Sequence, residues 1–145
     1  MLIIGNGLIA NAFKDFNLTK DCVIFASGVS NSSDVDNLNY EREFNLLENT
    51  INKFTNNHLV YFSTCSLNSG HNSKYKRHKK KLENYIFNNC ASYNIFRLPQ
   101  VVGVVDNNTL ISSFIRNLKY GNEILVQSNA TRHLLDVEDI PRITN

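Results

Sequence analysis

Four short apolar runs, separated by longer stretches with a helical period, limit the folds that this chain can adopt. The first three runs have no regular polar alternation, which is typical of strands buried on both faces of a sheet. The helical stretches carry apolar stripes that would pack on such a sheet. The pattern predicts an α/β fold with a doubly wound, mostly parallel sheet and helices on both faces. The four runs are residues 1–4, 21–30, 59–63 and 93–98.

Length and composition indicate one globular domain spanning residues 1–145. A net charge of +2 is too small to indicate a nucleic-acid partner or a membrane surface. No apolar run approaches the roughly 20 residues that span a bilayer. The three cysteines are odd in number and widely spaced, which favours a reducing, cytoplasmic compartment over a disulfide framework. The four histidines lack ligand-like spacing, so we expect no metal site.

The N-terminal segment reads as a strand, a glycine turn and a helix. The turn has the letters GNGLIA, and the apolar period continues through Phe13 and Phe16. Gly5 would allow the tight turn, Gly7 would let the backbone approach a pyrophosphate, and Ala10 is small enough for close packing. The N-terminus of the helix would then hold the anion. A tight turn that binds nothing explains the same letters.

The second run ends in small residues, Ala26, Ser27 and Gly28, which leave room for a ligand at the sheet edge. Dinucleotide-binding units usually have Asp or Glu at this point, where it holds a ribose. Either one strand-helix unit is missing from this chain, or the ribose is held differently.

Residues 58–83 contain a possible catalytic pair. Tyr75 and Lys79 are four residues apart and share one face of a predicted helix. A neighbouring ammonium lowers the pKa of a phenol, which suits an acid/base group in carbonyl–alcohol chemistry. Thr64, at the end of the third strand, would hold the substrate oxygen. The alternative is a solvated lysine-rich helix face.

The remaining segments predict further elements. Residues 34–57 form one long amphipathic helix, and the apolar spacing from Leu110 to Leu118 marks another that ends at Gly121. Short strands are expected at residues 123–126 and 133–137.

Together these motifs resemble the extended short-chain dehydrogenase/reductase superfamily, in particular its NAD-dependent epimerase/dehydratase branch. The matching segments occur in the order GNGLIA, FASG, YFSTCS, YKRHK, FRLPQVVG and RHLLDVEDI. The resemblance implies a Rossmann-like fold and an enzyme of nucleotide-sugar metabolism, such as polysaccharide biosynthesis, that uses NAD or NADP. It also implies that the chain ends where a small C-terminal substrate lobe would begin.

The resemblance also implies roles for individual residues. Thr64, Tyr75 and Lys79 would be catalytic, and Lys79 would also hold the nicotinamide ribose. Substrate would contact Ser66, Gln100 and Arg132. The cofactor would contact Gly5, Asn6, Gly7, Leu8, Ile9, Ala26, Ser27, Gly28, Lys79 and Pro99. The alternative is a non-catalytic nucleotide-binding or scaffold protein that is derived from the same superfamily.

A homodimer is a further expectation, because members of the resembled superfamily commonly pair two helices with their copies across a two-fold axis. The apolar side chains outside the main helical stripes are Leu38, Leu46, Tyr85 and Phe87. Lys76, Lys80 and Lys81 of the Tyr75 helix would face their own copies, which is unfavourable unless Glu41, Glu43 or Glu48 pairs with them.

Overall fold

A parallel sheet with helices on both faces forms the centre of the protein, which confirms the predicted fold class. The structure is a computed structural model that describes residues 1–16, 21–29, 36–70, 72–103, 110–126 and 128–145. The strands β1 (Leu2–Ile4), β2 (Cys22–Phe25), β3 (His58–Thr64) and β4 (Tyr93–Leu98) lie side by side in that order. The helices α1 (Leu8–Ala12), α2 (Asn37–Lys53) and α3 (Lys74–Asn89) connect them in turn.

The C-terminal part adds a second, smaller sheet. Strands β5 (Gln100–Val102) and β6 (Leu134–Asp136) pair in parallel, and α4 (Leu110–Lys119) lies between them in the chain. A short helix, α5 (Ile140–Thr144), follows β6 and packs against the central sheet through Ile140. None of the helices in the described ranges combines the length and the apolar character needed to cross a membrane.

Alternate residues of the central strands face two separate cores, because the side chains of a strand point to opposite faces of the sheet. On one face α2 and α3 contribute Leu47, Ile51, Leu82 and Ile86. On the other face α1 and α5 lie over the sheet, with Phe13 and Ile140 fully buried. The strand residues divide accordingly: Val23, Phe25, Leu59 and Tyr61 face α2 and α3, whereas Cys22, Ile24, Val60 and Phe62 face α1 and α5.

The first strand is not buried on both faces as its composition predicted. β1 pairs only with β2 among the described residues and is therefore an edge strand, which leaves Leu2 38% exposed. β2 and β3 lie inside the sheet, and all four residues of β2 are buried. Ile3 and Ile4 pack against the cores on opposite faces of the sheet, so apolar composition alone does not distinguish an interior strand from an edge strand.

The connection from β1 to β2 differs in hand from the two that follow. Each of the three connections leads to the next strand in the same direction across the sheet, from β1 to β4. However, α1 lies on one face of the sheet, whereas α2 and α3 lie on the other. Parallel connections that step in one direction over opposite faces have opposite hands, and such connections are right-handed in about 98% of cases. The connection through α1 therefore has the opposite hand to the connections through α2 and α3. This arrangement fits the missing strand-helix unit that the sequence indicated.

The other sequence expectations are met to different degrees. α2 begins after its N-cap Asp36, and α3 begins after Ser73, whose hydroxyl accepts a hydrogen bond from the Lys76 N–H. α1 has only five residues and ends before Phe13. Gly121 has the left-handed φ of +64° expected of a C-cap. Ser30 and residues 34–35, which we placed in elements, lie outside the described residues.

One predicted strand is wrong and one observed strand was missed. Residues 123–126 do not form a strand. Leu125, whose apolar side chain suggested one, is 88% exposed and does not pack on a sheet. The missed strand is β5, which follows β4 after a single residue, Pro99. Because proline cannot donate a backbone hydrogen bond to a neighbouring strand, we interpreted Pro99 as the end of the fourth strand. The strand predicted at residues 133–137 is confirmed as β6.

We predict that Gly5→Ala destabilises the protein by about 1–3 kcal/mol. Gly5 has a φ of +129°, and a Cβ there would lie 2.5 Å from the Ala26 carbonyl oxygen, a backbone atom that cannot move aside cheaply. Gly70→Ala is the matched control, because a Cβ there meets nothing within 4 Å. Urea unfolding should show a clear loss for Gly5→Ala and little change for Gly70→Ala. Equal stabilities would contradict this account of the first turn.

Candidate functional site

The carboxyl ends of the parallel strands bring several predicted site residues to one edge of the sheet. Gly5 follows β1, residues 26–29 follow β2, Thr64 ends β3 and Pro99 follows β4. The register aligns Ile4 with Phe25 and Phe25 with Tyr61, so β3 and β4 extend three residues further at this edge, to Thr64 and Leu98. Such an edge is where open α/β sheets bind ligands.

The glycine turn lies directly against the segment after β2. The missing side chain of Gly5 leaves room for the backbone of Ala26 and Ser27. Gly7 is exposed, and a Cβ at this position would meet nothing within 4 Å. Asn6 is also exposed, whereas Leu8 and Ile9 pack towards the core beneath the turn. The turn therefore leaves open backbone beside the end of β2, as a bound pyrophosphate would require.

Glu43 of α2 is buried beneath this edge. It was one of three carboxylates that could pair with lysines of a second copy. Glu43 does not have that role, because the residue is 2% exposed and has its partners inside the chain. Its Oε1 accepts hydrogen bonds from Lys79 Nζ at 2.6 Å and from the Tyr61 hydroxyl at 3.4 Å. Its Oε2 accepts one from the Val29 N–H at 3.0 Å and lies 3.0 Å from His78 Nε2.

These contacts keep Glu43 ionised. Burial raises the pKa of the carboxyl group, but the hydrogen bonds from His78, Lys79 and Val29 and the charge of Lys79 outweigh burial and hold it at about 2. Glu43 is therefore a carboxylate throughout the physiological range and a firm counter-ion for Lys79. The Lys79 ammonium also donates to the Tyr61 hydroxyl at 3.1 Å.

Tyr75 and Lys79 share one helix face, but the predicted effect on the phenol is wrong. Burial, the nearby charge of Glu43 and, to a lesser degree, Tyr40 together raise the pKa of Tyr75 to about 12, whereas a hydrogen bond with Thr64 acts in the opposite direction. Lys79 Nζ is 5.8 Å from the centre of the Tyr75 ring and is paired with Glu43 at 2.6 Å. Because the Glu43 carboxylate neutralises the Lys79 ammonium, the ammonium does not favour the phenolate form of Tyr75.

Thr64 and Ser66 lie together beside Tyr75. The Thr64 hydroxyl oxygen accepts the Ser66 N–H at 3.1 Å, and the two hydroxyls are 3.0 Å apart. This local bond caps a 3₁₀ turn at Cys65–Asn68 and holds the threonine at the end of β3. Gln100 begins β5, where its N–H donates to the His133 carbonyl at 3.2 Å. Arg132, the residue before His133, is exposed.

A second ion pair, between Arg97 and Glu83, joins α3 to β4. Arg97 of β4 donates two hydrogen bonds to the Glu83 carboxylate, at 2.9 and 2.7 Å. Beside it lies an open basic groove of about 680 Å³. Much of the charge there is already engaged, since Lys80 is 3.8 Å from Glu83 and Lys81 lies over the Phe44 ring at 3.9 Å. The residues lining this groove include none of Thr64, Tyr75 and Lys79, so we place the candidate site at the sheet edge.

The apolar side chains on which the homodimer prediction rests differ in exposure. Leu38 and Phe87 are both 71% exposed, whereas Leu46 and Tyr85 pack against the core of their own chain. Glu48 accepts a hydrogen bond from the Tyr85 hydroxyl at 3.0 Å. The homodimer stays a prediction.

Comparison with protein families and with curated proteins finds no match, but the chain resembles several solved structures. The enzyme WbmH of Bordetella bronchiseptica in complex with NAD+ has a TM-score of 0.69 and 24% identity, over 86% of this chain and 47% of that one. UDP-N-acetylglucosamine 4-epimerase of Methanobrevibacter ruminantium M1, in complex with UDP-N-acetylmuramic acid, has a TM-score of 0.65 and 17% identity, over 94% and 52%. The capsular polysaccharide assembling protein CapF of Staphylococcus aureus has a TM-score of 0.54 and 19% identity, over 93% and 36%.

These likenesses confirm the Rossmann-like fold that the sequence motifs implied. The chain spans about half the length of the first of these structures, 47% of WbmH. At such low sequence identities the likeness concerns the fold, and the chemistry of this chain has to be argued from its own residues.

We predict that Glu43 accounts for a large part of the acid sensitivity of the fold. Its pKa is about 2 in the folded chain against an ordinary 4.5, so its stabilising contribution is complete above about pH 4.5 and is lost as the pH falls towards 2. The difference corresponds to about 3 kcal/mol. Denaturant unfolding between pH 6 and pH 2.5 should show a smaller loss of stability for Glu43→Gln than for the wild type. Glu41→Gln, an exposed change on the same helix, should keep the wild-type loss, and a wild-type loss in Glu43→Gln would contradict the assignment.

Proposed function

We propose that the chain is the cofactor-binding unit of an NAD(P)-dependent enzyme that acts on a nucleotide sugar. One observation carries the proposal: Thr64 and Tyr75, which lie beside each other, are at the same carboxyl edge of the sheet as the open Gly5–Gly7 turn. The motif order and the likeness to structures titled as an NAD+ complex and a UDP-N-acetylglucosamine 4-epimerase support it.

The residues at this edge fit a dinucleotide. Gly7 leaves its backbone open, and Gly28 is exposed at the end of β2. A Cβ at Gly28 would lie 3.1 Å from Lys79 Nζ, so the ammonium lies directly beneath this segment. The turn residues Gly5, Asn6 and Gly7 would hold the pyrophosphate. Ala26, Ser27, Gly28, Lys79 and Pro99 would hold the remaining groups of the cofactor. When bound, the nicotinamide supplies a hydride donor or acceptor.

The residues of the chain then handle the proton and the substrate oxygen. With a pKa near 12, the Tyr75 phenol is protonated at neutral pH, so in the free protein it is ready to donate a proton rather than to accept one. Thr64 shares a hydrogen bond with Tyr75 and would hold the substrate oxygen beside it. Ser66, Gln100 and Arg132 would contact more distant groups of the substrate, and Arg132 would provide the positive charge for its diphosphate.

The second candidate is a non-catalytic nucleotide-binding or scaffold protein. It is favoured by the edge position of β1, because no described strand lies beyond it to carry the acidic residue that usually holds a ribose. The enzyme and the non-catalytic nucleotide-binding protein both predict cofactor binding at the turn and differ in whether Tyr75 supports turnover, whereas a scaffold protein requires neither.

The chain should bind NAD(H) or NADP(H), and Gly7→Val should abolish that binding while leaving the fold intact. A side chain at Gly7 meets no protein atom but occupies the space that a pyrophosphate needs. Calorimetry of both cofactors measures the affinity, and thermal unfolding measures the fold. Gly70→Val, which also extends into open space, is the control and should bind like the wild type. Absence of binding to either cofactor at millimolar concentration would refute the cofactor assignment.

Tyr75→Phe should abolish carbonyl–alcohol turnover and leave cofactor affinity nearly unchanged, because the ring still packs while the titrating proton is gone. Lys79→Ala should weaken both properties, since it removes the ammonium that lies beneath Gly28. The assay is turnover of UDP-sugars with either cofactor, alongside calorimetry. Full turnover by Tyr75→Phe would show that the catalytic assignment is wrong. Cofactor binding without turnover by the wild type would favour the non-catalytic nucleotide-binding protein.

A further inference from the structure

Lys79 has a counter-ion of its own inside the protein. The Lys79 side chain is 5% exposed and that of Glu43 is 1% exposed, and their charged atoms are 2.6 Å apart. The carboxylate is in turn held by the Val29 N–H and His78, so it is fixed from the end of β2 and from α3. A buried ion pair of this kind has a defined geometry, because neither partner can leave without uncovering a charge in a low-dielectric surrounding.

We propose that Glu43 is a positioning residue for the Tyr75–Lys79 pair: it holds the Lys79 ammonium beneath the Gly28 segment and fixes the charges that lie beside the Tyr75 ring. The inference deepens the proposed function and rests on it for its catalytic meaning. The geometry itself needs no bound ligand, since every contact in it lies within the chain.

Two features indicate that Glu43 positions groups of the site in addition to stabilising the fold. First, the same carboxylate contacts Lys79 and the backbone after β2, so it couples the position of the ammonium to the segment that would hold the cofactor. Second, the negative charge of Glu43 lies close enough to raise the pKa of Tyr75 further than burial alone does. Without that carboxylate, the Lys79 ammonium would be uncompensated beside the phenol and would favour the phenolate.

The other groups around Tyr75 contribute less to this effect. Tyr40 raises the pKa of Tyr75 less than Glu43 does, and the hydrogen bond with Thr64 lowers it. After burial, the charge of Glu43 is thus the largest influence on the pKa of Tyr75. The groups that surround the Tyr75 phenol are Tyr40 and Glu43 from α2, Tyr61 and Thr64 from β3, and Lys79 from α3.

The test is the titration of Tyr75 in Glu43→Gln. NMR of protein labelled at the tyrosine Cζ reports each phenol separately, and the signal that disappears in Tyr75→Phe identifies Tyr75. In the wild type this signal should stay that of a phenol to above pH 11, consistent with a pKa near 12. In Glu43→Gln the midpoint should fall by about one pH unit or more. Glu41→Gln, which removes an exposed carboxylate of the same helix, should leave it unchanged. An unchanged midpoint in Glu43→Gln, or an equal fall in Glu41→Gln, overturns the proposal.

A second comparison holds even if Glu43→Gln folds poorly. Lys79→Met alone leaves the Glu43 carboxylate buried without its cation, whereas the double variant Glu43→Gln/Lys79→Met removes both charges. The double variant should therefore melt at a higher temperature than Lys79→Met. It should also show the lowered Tyr75 midpoint, because the carboxylate is absent. A double variant that melts no higher than Lys79→Met means that the two groups are not paired, and it overturns the proposal.

These readouts separate this inference from the proposed function. Neither the Tyr75 titration nor the melting comparison needs cofactor or turnover. Failure to bind NAD(P) would refute the cofactor assignment and leave the titration result valid. An unchanged Tyr75 midpoint in a variant that still binds cofactor would refute only the role of Glu43.

Discussion

The buried carboxylate of Glu43 is the interaction on which the arrangement of the site depends. It joins α2 to the end of β2 through the Val29 N–H, to β3 through Tyr61, and to α3 through His78 and Lys79. Desolvation of a carboxylate costs several kcal/mol, and only a full set of partners offsets it. Removal of one charge from such a pair typically destabilises a protein by about 3–5 kcal/mol, because the other is left uncompensated. The same contacts therefore stabilise the fold and fix the position of Lys79.

The parallel sheet contributes the second requirement, because it brings distant segments to one edge. Gly5 and Ala26 come from different strands and meet only because β1 and β2 end at the same level. Thr64 reaches Tyr75 because β3 ends beside the start of α3. The glycine turn lies next to β2 because it follows β1 directly and β1 pairs with β2, although no described strand lies beyond β1. The sheet edge thus brings the glycine turn, the segment after β2 and the Thr64–Tyr75 pair together.

Much of the fold follows from the sequence, because strand and helix periods are local properties. Every predicted element except the strand at residues 123–126 is present, and β4 has the predicted bounds. The edge position of β1 and the pairing of β5 with β6 depend on which strands become neighbours, and local pattern does not determine that. Likewise the pKa of Tyr75 depends on Glu43, which lies 32 residues earlier in the chain. A signal for Glu43 was available: it lies three residues after Tyr40 and four before Leu47, on the apolar stripe of α2, where an isolated carboxylate requires a buried cation.

The Glu43–Lys79 contact can be observed directly by NMR. In protein labelled with ¹⁵N at lysine Nζ and ¹³C at glutamate Cδ, we expect the Lys79 ammonium protons to exchange slowly with water. We also expect a scalar coupling across the hydrogen bond from Lys79 Nζ to the Glu43 carboxylate. The adjacent Lys80, whose side chain is 57% exposed, provides the internal reference for fast exchange. A Lys79 ammonium that exchanges as fast as that of Lys80, with no coupling to Glu43, would contradict the account.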